Sequence, residues 1–147
     1  MTIWPLDVFI EESNRIEGIH RGPLSSEIDA YMVLLQQEHV TIPALQAFVS
    51  VIRHGAILRD TIGLDVQIGD YLPPLGGPEV VHELRSILAR VSDGLDPHQV
   101  HLDYENLHPF TDGNGRSGRV LWLKMMGGKA PLGFLHEFYY QTLRAAR

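Results

Sequence analysis

Glycine and proline cut this chain into intervals that helices can fill, and this punctuation constrains the fold more than any other feature. Between the breaks, apolar residues recur at helical spacing. Asp7 to Gly18 carries Val8, Phe9 and Ile16 among charged residues, and Gly18 is a natural stop. Ser25-Ser-Glu-Ile begins a second helix through about His39, with Ile28, Met32 and Leu35 at helical spacing and a capping serine. Thr41-Ile-Pro43 opens a third to roughly Arg59, proline being tolerated in a first turn. Pro78 begins a fourth to Val91, and Asp96-Pro97 is a cap and first-turn pair for a fifth ending near Leu107. Gly115 to about Met126 makes a sixth, and Leu132 to Ala146 a seventh after Gly127-Gly128. The pattern predicts a mainly α chain of about seven helices, without repeats or linkers.

Residues 55–77 break this rhythm. Five glycines and the pair Pro73-Pro74 forbid a long helix there. Val66-Gln-Ile68 alternates, and with Leu58 to Ile62 it either makes a short β-hairpin or stays an irregular connector.

The chain's 147 residues fit one domain with a real core, and 44% hydrophobic with 20% charged residues describes an ordinary globular protein. Without cysteine there are no disulfides or zinc–thiolate sites, which suits a reducing compartment. Met1 to Asp7 lacks the basic and apolar parts of a signal peptide, and no apolar run approaches a membrane span. We therefore expect a cytoplasmic protein with no membrane partner. A net charge of −6 and no basic stretch argue against nucleic acid. Of the eight histidines, those of His82-Glu83 and His136-Glu137 lack a second histidine at the zincin spacing.

Chemistry concentrates in the segment from His108 to Arg119, His-Pro-Phe-Thr-Asp-Gly-Asn-Gly-Arg-Ser-Gly-Arg. Gly113-Asn114-Gly115 lets several N–H groups point into one concavity, and the helix that follows adds the positive end of its dipole. An anion belongs there, and a polyphosphate fits best. Arg116 and Arg119, three apart on one helical face, can reach outer phosphate oxygens. Asp112 can hold Mg²⁺ against the same phosphates, because that ion prefers one or two carboxylates plus substrate oxygens. His108 suits a base that strips a proton from an attacking hydroxyl. The formal dinucleotide fingerprint Gly113-x-Gly115-x-x-Gly118 follows a polar, helix-like stretch, Leu102 to Leu107, where that motif requires a buried strand.

These residues closely resemble the signature of the Fic family, His-x-Phe-x-(Asp/Glu)-Gly-Asn-Gly-Arg-x-x-Arg, and every specified position is met. The resemblance implies a helical Fic fold across residues 1–147, with a β-hairpin flap beside the active site. It implies AMP transfer from Mg-ATP to a protein hydroxyl of Ser, Thr or Tyr, the chain's own included. His108 would be the general base and Asp112 the Mg²⁺ ligand. Gly113 to Gly115 would form the anion hole, with Asn114 positioning the α-phosphate and Arg116 and Arg119 on the β- and γ-phosphates. Phe110 would anchor the loop. Residues 55–77 would be the flap, with Thr61, Ile62, Gly63, Leu64, Asp65, Val66, Gln67 and Ile68 clamping a protein target by backbone pairing.

Within residues 1–22, Ser13-Asn-Arg-Ile-Glu17-Gly18 is similar to the family's inhibitory motif, (Ser/Thr)-x-x-x-Glu-(Gly/Asn). In families with this element the glutamate pairs with the second signature arginine, here Arg119, and disfavours productive ATP binding. Other outcomes on the same scaffold are transfer of phosphate, UMP or phosphocholine, and removal of AMP assisted by Glu17. Gly115 stands where kinase-like relatives place lysine, which favours AMP. The non-enzymatic alternative is a silent ATP-sensing module locked by Glu17.

Overall fold

The computed structural model of the chain describes residues 5–128. They form six helices: α1 (Leu6–Ile16), α2 (Ser25–Leu35), α3 (Ile42–Ile52), α4 (Pro78–Asp93), α5 (Pro97–Leu107) and α6 (Asn114–Met125). The expected seventh helix, Leu132 to Ala146, lies outside the described residues.

Helix α6 is the axis of the arrangement, touched by each of the other five. Its second half, Val120 to Leu123, is apolar and buried, as a central helix should be. Its first half buries Asn114, Arg116, Ser117 and Arg119 as well. Polar groups in such a place need partners. Ser117 donates to the Gly113 carbonyl at 2.8 Å, with the Tyr104 hydroxyl 2.7 Å away. Gly118 lets α5 approach: a Cβ there would stand 2.1 Å from Glu105 Oε1 and 3.0 Å from Tyr104 Cδ1.

Around this axis, Phe9, Tyr31 and Phe48 join α1, α2 and α3 through edge-on ring contacts, with centroids 6.5 and 4.8 Å apart. Such a pair stabilises by about 0.5–1.5 kcal/mol beyond the area it buries. The face of α1 that reaches the interior is Phe9, Ile10, Ser13 and Asn14, so the helix docks with its first half apolar and its second half polar.

Helix ends follow specific contacts. Thr41 caps α3 by accepting the Ala44 N–H at 3.2 Å. Ser25 does not cap α2; the Glu27 carboxylate reaches back to the Leu24 N–H at 2.8 Å instead. Asp96 sits at the start of α5 in a left-handed conformation, and its side chain makes no capping bond. Helix α2 stops at Leu35 rather than His39, where Lys124 Nζ donates to the Leu35 and Gln37 carbonyls. Helix α3 stops at Ile52 rather than Arg59, because Arg53 turns extended and residues 57–59 are used elsewhere.

The expected hairpin of Leu58–Ile62 with Val66–Ile68 does not form; the described residues contain isolated bridges and no strand. Leu58 bridges Phe110 in the signature loop, through Arg59 N–H to Pro109 O and Thr111 N–H to Ile57 O, each 2.9 Å. Ile68 bridges Tyr71 across Gly69-Asp70. Between them the loop closes on itself. Leu64 N–H donates to Thr61 O, Gly76 N–H to the Asp65 carboxylate, and the Arg59 side chain takes the Leu64 and Pro74 carbonyls. The main-chain groups that would have been rungs are taken as well, Arg59 by Pro109 and Gly77, Thr61 O by Leu64, and Ile68 by Tyr71. Alternation along the chain does not reveal a competitor of that kind.

Candidate active site

Helix α5 ends at Leu107 and the chain turns sharply, with His108 left-handed at φ 52°. The turn exposes its imidazole to a cavity of about 510 Å³, which Asp112, Gly113, Asn114, Gly115, Arg116 and Arg119 also line. Glu17, Arg53 and Ile68 come to the same wall from three other parts of the chain. The signature residues thus converge on one concavity, as their spacing implied.

Phe110 is 1% exposed and sits in the core, as an anchor should. Asn114 closes the loop upon it: its Oδ1 accepts the Phe110 N–H at 2.9 Å and its Nδ2 donates to the Phe110 carbonyl at 2.8 Å. Both ends of that amide are therefore engaged in shaping the turn, and Asn114 meets the cavity with its main chain. Gly113 takes a φ of 78°. Its N–H donates to Asp112 Oδ1 at 2.8 Å, whereas the next three N–H groups, the first of α6, have no acceptor among the described residues. Three such N–H groups and the helix dipole are the chemistry that an anion would need.

Arg116 and Arg119 are 5% and 1% exposed. Arg119 Nε donates to Ser13 Oγ at 2.7 Å, and its Nη2 to the Ser13 carbonyl at 3.1 Å and to Glu17 Oε1 at 2.8 Å. The pairing of Glu17 with Arg119 is thus present in the geometry. Glu17 caps the C-terminus of α1, where a carboxylate gains nothing from that helix's own dipole. It gains from α6 instead, lying over Gly115, where a Cβ would be 2.4 Å from Oε1. Gly18, at φ 79°, ends α1 and sends Ile19 N–H back to Asn14 O, which fixes Glu17 at this point.

Arg116 is held less completely. Its Nη1 donates to Asn14 Oδ1 at 3.4 Å and stands 3.9 Å from Glu27 Oε2, while its buried Nε has no hydrogen-bond partner. Burial pulls this guanidinium below the ordinary arginine value, against the pull of Tyr31, Glu17 and Glu27. A buried cation short of negative charge, with a donor to spare, is the electrostatic condition for binding an anion.

Asp112 stands at the cavity mouth with Oδ2 2.7 Å from Arg53 Nε, both side chains more than half exposed. The carboxylate is thus already directed at a cation. Among the described residues no cluster of three or more His, Asp or Glu gathers as a metal site. A single carboxylate beside a glycine turn that opens a helix would fit Mg²⁺, which takes its other ligands from substrate and water.

Of the residues expected to clamp a target, Ile68 lines the cavity. Ile62 is 85% exposed at the loop tip, and Thr61, Gly63, Leu64, Asp65, Val66 and Gln67 form the self-closed turn beside it. Sequence reasoning passed over Asn14, Glu27, Arg53, Arg59 and Glu105. Asn14 alone carried a signal, being inside the inhibitory motif.

Residues 80–126 match the Fic/DOC family model, a stretch that runs from α4 to the end of α6 and contains the whole signature. The match supports a Fic domain here. No curated protein and no solved structure matches the chain. No helix among the described residues is long and apolar enough to cross a membrane.

Proposed function

We propose that this chain is a Fic-type protein adenylyltransferase restrained by Glu17. The observation that carries the reading is one cavity whose wall holds His108, Asp112, the α6 N-terminus and both signature arginines, with the Glu17 carboxylate lying where an anion belongs. The match to the Fic/DOC family supports transfer chemistry in general; the residues support AMP in particular, since Gly115 stands where kinase-like relatives place lysine.

The triphosphate of ATP is held by the three free N–H groups of Asn114, Gly115 and Arg116, and by Arg116 and Arg119. Asp112 holds Mg²⁺, which when bound offsets the charge on the phosphate oxygens. A Ser, Thr or Tyr hydroxyl of the target attacks the α-phosphorus. The new O–P bond forms as the bond to the β-phosphate oxygen breaks, pyrophosphate leaves, and the hydroxyl proton passes to His108. Positioning and electrostatics carry most of such a transfer. Ile68 at the cavity edge and the exposed Ile62 support residues 61–68 as the face on which the target rests.

In this state the Glu17 carboxylate occupies Arg119 and the space over Gly115, so the γ-phosphate lacks its Arg119 contact until Glu17 lets go. Restraint in cis follows. The same occupancy supports the second reading, a nucleotide-binding module that never transfers. Intact-mass measurement after incubating Glu17→Gly with Mg-ATP and a cell lysate separates the cases. An AMP adduct on a lysate protein or on the chain itself bears out the proposal. A phosphate adduct makes it a kinase-type relative, and ATP binding without any adduct leaves the binding module.

A further inference from the structure

Arg59 is 0% exposed, yet among the described residues its hydrogen bonds go to main-chain carbonyls and none to a carboxylate. Nε donates to His108 O at 2.7 Å and Nη2 to Leu107 O at 2.8 Å. Nη1 donates to Leu64 O at 3.1 Å and Pro74 O at 2.9 Å. Burying a guanidinium is expensive unless its donors are matched, and the planar fork is what lets one side chain serve four acceptors in two directions.

We propose that Arg59 is a positioning residue for His108 and the link by which the 61–76 loop governs it. The inference rests on the reading of His108 as the transfer base.

On one side, Leu107 and His108 contribute carbonyls at the C-terminus of α5, where a cation is favoured and carbonyls lack helical partners. Held there, His108 keeps a left-handed backbone, φ 52° and ψ 62°, that a residue with a side chain seldom adopts. That backbone sends the imidazole into the cavity and returns the chain through Pro109, whose carbonyl accepts the Arg59 N–H at 2.9 Å. Main chain and side chain of Arg59 thus grip both flanks of His108.

On the other side, Nη1 holds the loop at two points, the Leu64 and Pro74 carbonyls. The loop moves as a unit because Asp65 binds the Gly76 N–H at 2.8 Å, and Gly76 lies so close to Leu64 that a Cβ would be 2.4 Å from its carbonyl oxygen. A target resting on the exposed tip therefore displaces two of Arg59's four acceptors. The guanidinium is rigid and planar, so it passes that load to the two carbonyls that set the histidine. The base is tuned by arrival of the target.

The test uses the full chain in a Glu17→Gly background with two further variants. Arg59→Lys keeps the charge and loses the fork; Asp65→Ala loosens the exposed loop and touches no residue of 107–109. The His108 imidazole signal is assigned in isotope-labelled protein by its loss in His108→Ala. The proposal expects both variants to shift that signal. It also expects the maximal transfer rate to fall on the order of tenfold or more, the effect of a small misplacement of a catalytic group, with the Mg-ATP dissociation constant changed by less than about twofold. An unmoved His108 signal in both variants would overturn it, as would a rate that falls only in step with ATP affinity. If Glu17→Gly itself transfers nothing, the adenylyltransferase reading fails, and the imidazole signal still decides the role of Arg59.

Discussion

Replacing Glu17 by glycine removes its hydrogen bond to the Arg119 side chain, and the two to Ser13 remain. The lost bond is the charge-assisted one, at 2.8 Å. A hydrogen bond to a charged group contributes about 1.5–3 kcal/mol. Glu17 is 40% exposed, so solvent screening brings this down to about 1–2 kcal/mol. That range corresponds to a factor of about 5–30 in the balance between docked and released carboxylate. Initial rates of AMP incorporation at sub-saturating Mg-ATP should rise by that factor in Glu17→Gly. Glu17→Gln, which can still accept the bond without the charge, should fall between the two. Equal rates for wild type and Glu17→Gly would refute the reasoning, and full restraint in Glu17→Gln would show that shape rather than charge holds Arg119.

Ser13→Ala removes the Arg119 Nε partner alone and should release the enzyme less than Glu17→Gly does in the same rate assay. Gly118→Ala drives a methyl into Glu105 and Tyr104, and overpacking of this kind costs about 1–3 kcal/mol, visible by calorimetry as a Tm lower by several degrees. His101 bears on pH. Burial holds it neutral, with its pKa pushed down to about 3, while its bond to the Gly118 carbonyl pulls the other way. Its folded value lies below its unfolded one, so the unfolded chain binds the extra proton. Stability from this residue is complete above about pH 6.5 and declines as pH falls from there, by about 1.4 kcal/mol per unit. His101→Asn, titrated by urea unfolding at pH 7 and pH 5, should lose that slope.

How much of this could be read from the chain differs by element. Residues between glycine and proline breaks became helices because their apolar spacing agreed with the periods of their neighbours, and Thr41 capped α3 as its type suggests. The signature converged because its spacing is local: a glycine turn, a helix start and side chains within a few residues of each other. Glu17 reached Arg119 across 102 positions because both ends belong to motifs. The hairpin was misread because its main-chain groups are taken elsewhere, Arg59 by Pro109 and Gly77 and Ile68 by Tyr71, and alternation along the chain shows none of these competitors. Arg53 on Asp112 and Glu27 beside Arg116 are likewise long-range choices of charged side chains, made by packing rather than periodicity. The Asn114 side chain ties its own loop through both ends of its amide, a use that its place in the signature does not show.

The most direct test of restrained AMP transfer compares wild type, Glu17→Gly and Glu17→Gly/His108→Ala, each given Mg²⁺, a lysate, and ATP labelled at either the α- or the γ-phosphate. The account predicts protein label from the α position only, weak in wild type, strong in Glu17→Gly and absent in the double variant, which should still bind ATP. Label arriving from the γ position, or α label that survives the loss of His108, would contradict it.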